Sequence, residues 1–272
     1  MNIIKTFRTN SRDIITSLFI LGFVFGNVAS LMAQSKESVR NRTTVLFIDK
    51  TTSTEADNFI TEKNQKWVKK AIKENVLTDG DKIIVSFIFE NTSNITNKYE
   101  FIFHPPKKKT RRMSTNEARL AKVKYAKRMR SYKKNFTDKV LATAFTIKAE
   151  ATATDVVGSI KILADIATAN SGQVIKAFYF TDLQECSHFM HRMCGHPKSE
   201  ISSFDHARTL AQKDVMRIVA RYKLSNNCLK NVAEISVIFP SKMLGTNIAF
   251  SVLPEYWNVI YNELGVSHIN YQ

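Results

Sequence analysis

The stretch "TTVLFIDKTTST", Thr43 to Thr54, is an apolar run that stops at an aspartate and continues into hydroxyls at Thr51, Thr52, Ser53 and Thr54. The run is short, unbroken and rich in β-formers, which marks a strand buried on both faces rather than an alternating surface strand. Asp49 at its end admits three readings. It is a first metal ligand, the nucleophile of a hydrolase, or a polar turn in which Asp, Ser and Thr end the strand and cap the next helix.

The chain on either side repeats the same alternation. Thr54 to Val76 reads as a helix, with Phe59, Ile60, Trp67, Val68, Ala71 and Ile72 on one stripe. "TDGD" (Thr78 to Asp81) is a turn in which Asp79 and Asp81 are turn formers rather than calcium ligands. "KIIVSFIFENT" and "KYEFIFH" follow as strands. "STNE" at Ser114 to Glu117 is a capping box that opens a helix, with Leu120, Val123, Ala126, Met129, Tyr132, Phe136 and Val140 down one side. Thr154 to Ala169 is a further helix, and "VIKAFYFTD" is a strand that again ends at an aspartate, Asp182. A helix over Ser203 to Tyr222, the strand "VAEISVIF" and the helix "PEYWNVIYNEL" complete the series. Trp67 and Trp257 fall on helical stripes and belong to the core. Strands alternating with helices imply an α/β fold, a mostly parallel central sheet with helices on both faces. In such sheets ligands sit beyond the carboxyl ends of the strands where strand order reverses, and Asp49 and Asp182 both lie on that edge.

The 272 residues carry a formal net charge of +16 and are 44% hydrophobic, enough apolar content to bury a core. Lys5, Arg8 and Arg12 precede an apolar heart from Ile14 to Phe25, and Ala33-Gln34 suits a cleavage point. Residues 1–33 therefore read as a signal peptide, with an uncleaved anchor as the alternative, and the expected location is periplasmic or at the cell surface. Residues 34–42 form a polar linker and 43–272 the domain.

These residues carry a family resemblance. Asp49-Lys50-Thr51-Thr52-Ser53 fits D-x-[S/T]-x-S, the first part of the metal-ion-dependent adhesion site of von Willebrand factor type A domains. "ATATDVVGSI" supplies the later threonine, Thr154, and "AFYFTD" the aspartate after a central strand, Asp182. "LTDGDKIIVSFI" and "PEYWNVIYNELGV" also look like bacterial members. The resemblance runs from about Thr43 to the C-terminus and implies a doubly wound, Rossmann-like three-layer sandwich. It departs from the family at Thr51, where serine is commoner, and at Leu183, where glycine is usual. No glycine precedes Thr154, and Thr152 competes for its role. By resemblance Asp49, Thr51, Ser53, Thr154 and Asp182 hold Mg²⁺ (or Mn²⁺ or Ca²⁺), and a partner protein adds an acidic side chain. The donor types suit the ion, since Mg²⁺ takes about six hard oxygens and keeps some waters. The implied role is cation-dependent protein binding or adhesion without catalysis. A haloacid-dehalogenase-like phosphohydrolase would also place a nucleophile at Asp49, but it uses D-x-D, and position 51 is threonine.

Lys107 to Lys134 contains thirteen Lys and Arg against Glu117 alone. This basic elaboration, about residues 105–140, is either a solvated helix face whose long stems cover apolar surface or an anion-binding arm. The arm would work through Lys107, Lys108, Lys109, Arg111, Arg112, Lys127, Arg128 and Arg130 on anionic polymer, lipid or nucleic acid, with a vestigial metal site. No nucleic-acid motif accompanies the run, and export removes a genomic target. "CSHFMHRMCGH" offers Cys186, His188, His191, Cys194 and His196, but their spacing matches no zinc motif. Pairing among Cys186, Cys194 and Cys228 stays open.

Overall fold

The protein is described here by a computed structural model, for residues 40–51, 58–94, 98–108, 114–146, 151, 153–187, 189, 201, 203–239 and 252–272. The signal segment, most of the linker and Ser53 lie outside the described residues.

β1 (Arg42–Asp49) is buried along almost its whole length because strands flank it on both sides. Parallel pairing aligns Thr43–Asp49 with Lys82–Ile88 of β2. On the other flank, Arg42–Ile48 aligns with Val174–Phe180 of β4. β3 (Lys98–Ile102) runs antiparallel beside β2. β5 (Val232–Ile238) and β6 (Ile269–Tyr271) extend the sheet in parallel beyond β4. The order is β3-β2-β1-β4-β5-β6, so the expected α/β fold with a mostly parallel sheet is present. The chain winds outward from β1 to β3, then returns across to β4. The switch in direction therefore falls between β1 and β4, where strand ends diverge and leave room for a ligand.

The alternation of side chains along β1 divides the core in two. Val45 and Phe47 face the cluster built with α3 (Val156–Ala169), α4 (Phe204–Tyr222) and α5 (Leu253–Glu263). There Phe47 stacks on Tyr179 at 4.6 Å, and Tyr179, Tyr261 and Trp257 continue an aromatic layer. Leu46 and Ile48 face the opposite cluster, built with α1 (Asn58–Asn75) and the second half of α2 (Thr115–Thr146). Burying each such large side chain stabilises the fold by about 1.5–3 kcal/mol.

Asp81 braces the turn before β2. It is fully buried, its Oδ2 accepts from the N–H groups of Leu77 and Thr78, and its Oδ1 accepts from Arg42 N–H. The capping box at α2 is also present. Glu117 Oε2 accepts from Ser114 N–H at 2.9 Å, and these bonds hold the Glu117 carboxyl below its ordinary range. Trp257 is core, whereas Trp67 is half-buried at the cluster's rim with the Lys70 ammonium 4.2 Å from its ring centre.

Several expectations need correction. Leu120 and Val123 do not face the core; they are 55% and 63% exposed. Their spacing is helical, but α2 docks only through its later turns, where Phe136 meets Phe101 and Phe103. Thr154 does not open a helix: α3 begins at Val156 and Asp155 is its N-cap. β2 stops at Ile88, and Thr92–Asn94 is a 3₁₀ turn. The strand before Asp182 ends at Phe180. The sequence reading ends at the last helix and does not expect β6 beyond it.

Candidate metal centre

Asp49 closes β1, and Thr181 and Asp182 leave β4 beside it. The register that sets Ile48 opposite Phe180 sets the next pair, Asp49 and Thr181, side by side. Thr181 Oγ1 donates to Asp49 Oδ2 at 2.6 Å. Thr51 donates twice to Asp49 Oδ1, from its amide at 2.9 Å and its hydroxyl at 2.7 Å. A hydroxyl that donates its proton to a carboxylate keeps its lone pairs for another acceptor-seeking group. Burial pushes the Asp49 carboxyl above the ordinary carboxylate range, against the pull of those hydroxyls and of Lys50.

Thr154 comes to this edge on a segment laid across the strand ends. Ala151 N–H donates to Lys50 O, and Thr51 and Ala151 form a parallel bridge. Asp155 N–H donates to Phe89 O beyond β2, and Cys186 N–H donates to Thr154 O beyond β4, both at 2.8 Å. Asp155 then caps α3: its carboxylate accepts from Gly158 N–H at 2.7 Å and from Thr92 N–H at 2.8 Å. The cap explains Gly158. A Cβ there would lie 2.2 Å from Asp155 Oδ2 and 2.7 Å from Ser93 N.

Asp182 accepts from Gln184 N–H and Gln184 Nε2 at 3.0 and 3.1 Å. Leu183, between them, has φ 59°, the left-handed conformation that favours glycine. It is fully buried, and its carbonyl accepts from Trp257 Nε1 at 3.0 Å, so packing and a core hydrogen bond hold it there.

Asp49, Thr51, Thr154 and Asp182 are thus at one sheet edge, each no more than 4% exposed. Ser53, the fifth expected ligand, lies outside the described residues. The donors are carboxylate and hydroxyl oxygens, which fit a hard divalent cation such as Mg²⁺. Among the described residues no group of three or more His, Cys, Asp and Glu is placed to hold a metal ion.

Two residues at this edge had no place in the sequence reading. Thr181 is the first. Its signal was its place before Asp182, but its role depends on strand pairing. Glu185 is the second. It is fully buried, its Oε2 accepts from Val157 N–H and its Oε1 from Ser187 N–H, each at 2.8 Å. Burial, then the charge of Asp155, pushes its carboxyl up to about 8. It ties the loop after β4 to the first turn of α3.

His188, His191, Cys194 and His196 lie outside the described residues. Cys186 and Cys228 are not joined to each other, and burial pushes the half-buried Cys228 thiol up. Lys107 and Lys108 are exposed, Lys127, Arg128 and Arg130 lie on α2, and Lys109, Arg111 and Arg112 lie outside the described residues.

No family model matches the chain, and no curated protein matches it. Among solved structures it is similar to proximal thread matrix protein 1 of the mussel byssus, at 11% identity and a TM-score of 0.35, over 81% of this chain and 47% of that one. It is also similar to a point mutant of the PilB minor pilin from Streptococcus sanguinis, at 9% identity and a TM-score of 0.42, over 87% of this chain and 58% of that one. The chain spans about half the length of these structures.

Proposed function

We propose that the protein is a von Willebrand factor type A-like binding domain, exported by its first 33 residues, that grips a carboxylate of a partner protein through a divalent cation. The observation that carries the reading is the gathering of Asp49, Thr51, Thr154 and Asp182, buried, at the edge where the sheet reverses direction. These four, with Ser53, would hold Mg²⁺ or Mn²⁺. Bound there, the cation supplies a Lewis-acidic position for an incoming carboxylate. Thr181 orients Asp49 by fixing its Oδ2. Glu185 fixes the loop that carries Asp182 against α3. Asp49 is poorly suited to nucleophilic attack, because hydroxyls engage both of its oxygens and no second carboxylate stands at position 51.

Calorimetric titration of the full-length protein with Mg²⁺ and Mn²⁺ tests this. Saturable binding that disappears in Asp49→Ala and Asp182→Ala is the expected result. Absence of binding by either ion overturns the reading.

A further inference from the structure

α2 is longer than the sheet it packs on. Its 32 residues span about 48 Å at 1.5 Å per residue. From Met129 onward it leans on β3, with Tyr132 and Phe136 against Phe103 at 5.5 and 5.4 Å. From Thr115 to Arg128 every side chain is exposed except half-buried Ala121 and Tyr125. Among the described residues nothing packs beneath these turns, about 21 Å of helix.

Six cations occupy this projecting part and the turn after it: Arg119, Lys122, Lys124, Lys127, Arg128 and Arg130. None forms an ion pair among the described residues; on α2 only Lys134 does, with Asp138. Like charges also sit one turn apart, as in Lys124 with Lys127 and Arg128, and Lys127 with Arg130. Such pairs weaken an isolated helix. An anionic partner would relieve that repulsion and release counterions.

The distribution of charge selects the partner. At 100° per residue the six cations spread over about 240° of the helix circumference. Leu120 and Val123, the exposed apolar residues, fall inside that basic sector. A helix lying on a bilayer needs an apolar face separate from its basic one, and here the two are mixed. Cations on several faces suit a flexible chain that wraps. Base stacking needs a free aromatic face; Tyr125 is half-buried and Tyr132 packs on Phe103. We propose that the projecting half of α2 docks a linear, base-free phosphate polymer, independently of the cation site.

The test uses full-length protein in chelator, so that the metal reading plays no part. Inorganic polyphosphate is the probe, with duplex DNA and phosphatidylglycerol vesicles at equal phosphate. Lys124→Glu/Lys127→Glu/Arg128→Glu changes exposed residues only. Lys66→Glu/Lys69→Glu/Lys73→Glu on α1, also exposed, makes the same change in net charge elsewhere. The α2 variant should lose polyphosphate affinity by about tenfold or more, and its log-log salt slope should become shallower by about 2. The α1 variant should stay within about threefold. Equal losses in both variants, no polyphosphate binding, or tighter binding to DNA or vesicles than to polyphosphate would each overturn the proposal.

Discussion

Thr181 Oγ1 donates to Asp49 Oδ2 across the β1–β4 boundary at 2.6 Å, so one hydroxyl fixes the carboxylate at the sheet's switch point. Thr181→Val keeps the shape and removes both this donor and the oxygen that accepts from Leu183 N–H at 3.1 Å. Leaving a buried acceptor without its donor costs about 1–3 kcal/mol. Urea denaturation in chelator should show that loss, and Mg²⁺ affinity should fall with it. A variant as stable as the parent would show that the bond contributes nothing.

Asp49→Asn separates stability from binding. Burial already pushes Asp49 toward its neutral form, so the fold carries a desolvation cost at this position. A neutral amide of the same size avoids it, provided its oxygen stays with Thr51 and its Nδ2 donates to Thr181 Oγ1, which then accepts. In chelator the variant should match or exceed the parent's stability by up to about 1 kcal/mol, while Mg²⁺ binding is lost. A large destabilisation in chelator would show that the carboxylate has a structural role.

How much of this was legible depends on where each residue's partners come from. β1 announced itself because a central strand, buried on both faces, must be apolar throughout. Asp49 and Asp182 followed, since strand ends fix position along the chain. Thr181 did not, because its partner comes from a strand 132 residues away and only the β1–β4 register joins them. Periodicity also misled over Leu120 and Val123. It shows which residues share a side, but not whether anything lies beneath that side. Asp155 and Thr154 are neighbours with equally good capping chemistry, and contacts with Gly158 and Thr92 gave the cap to Asp155. β6 is three residues long and exists through its pairing with β5 alone.

Leu183 inverts the usual ranking of glycine and alanine. Either substitution forfeits a buried leucine, at about 2–5 kcal/mol for alanine. In ordinary backbone glycine is then the worse of the two. At φ 59° glycine instead relieves left-handed strain of about 1 kcal/mol. Leu183→Gly should therefore be at least as stable as Leu183→Ala by urea denaturation. The opposite order would remove the backbone argument.

Glu185 makes stability depend on pH in a direction opposite to a salt-bridged carboxylate. Its folded value is pushed up to about 8 from an ordinary 4.5, by burial first and then by Asp155. Below 4.5 both folded and unfolded chains hold the proton, and the stabilisation is complete. Between 4.5 and about 8 the folded chain keeps a proton that the unfolded chain has lost. Unfolding free energy therefore falls as pH rises through that window, by at most about 1.4 kcal/mol per pH unit for one proton. Asp49 and Asp155, also raised by burial, act in the same sense, so some slope persists without Glu185. Glu185→Gln cannot titrate, and its single amide oxygen can accept from only one of the Val157 and Ser187 N–H groups, so it also carries a loss of stability that does not vary with pH. Urea midpoints in chelator at about pH 5, 6.5 and 8 should decline less steeply in the variant than in the parent. Parallel declines would show that Glu185 is ionised in the folded protein and that the burial argument fails.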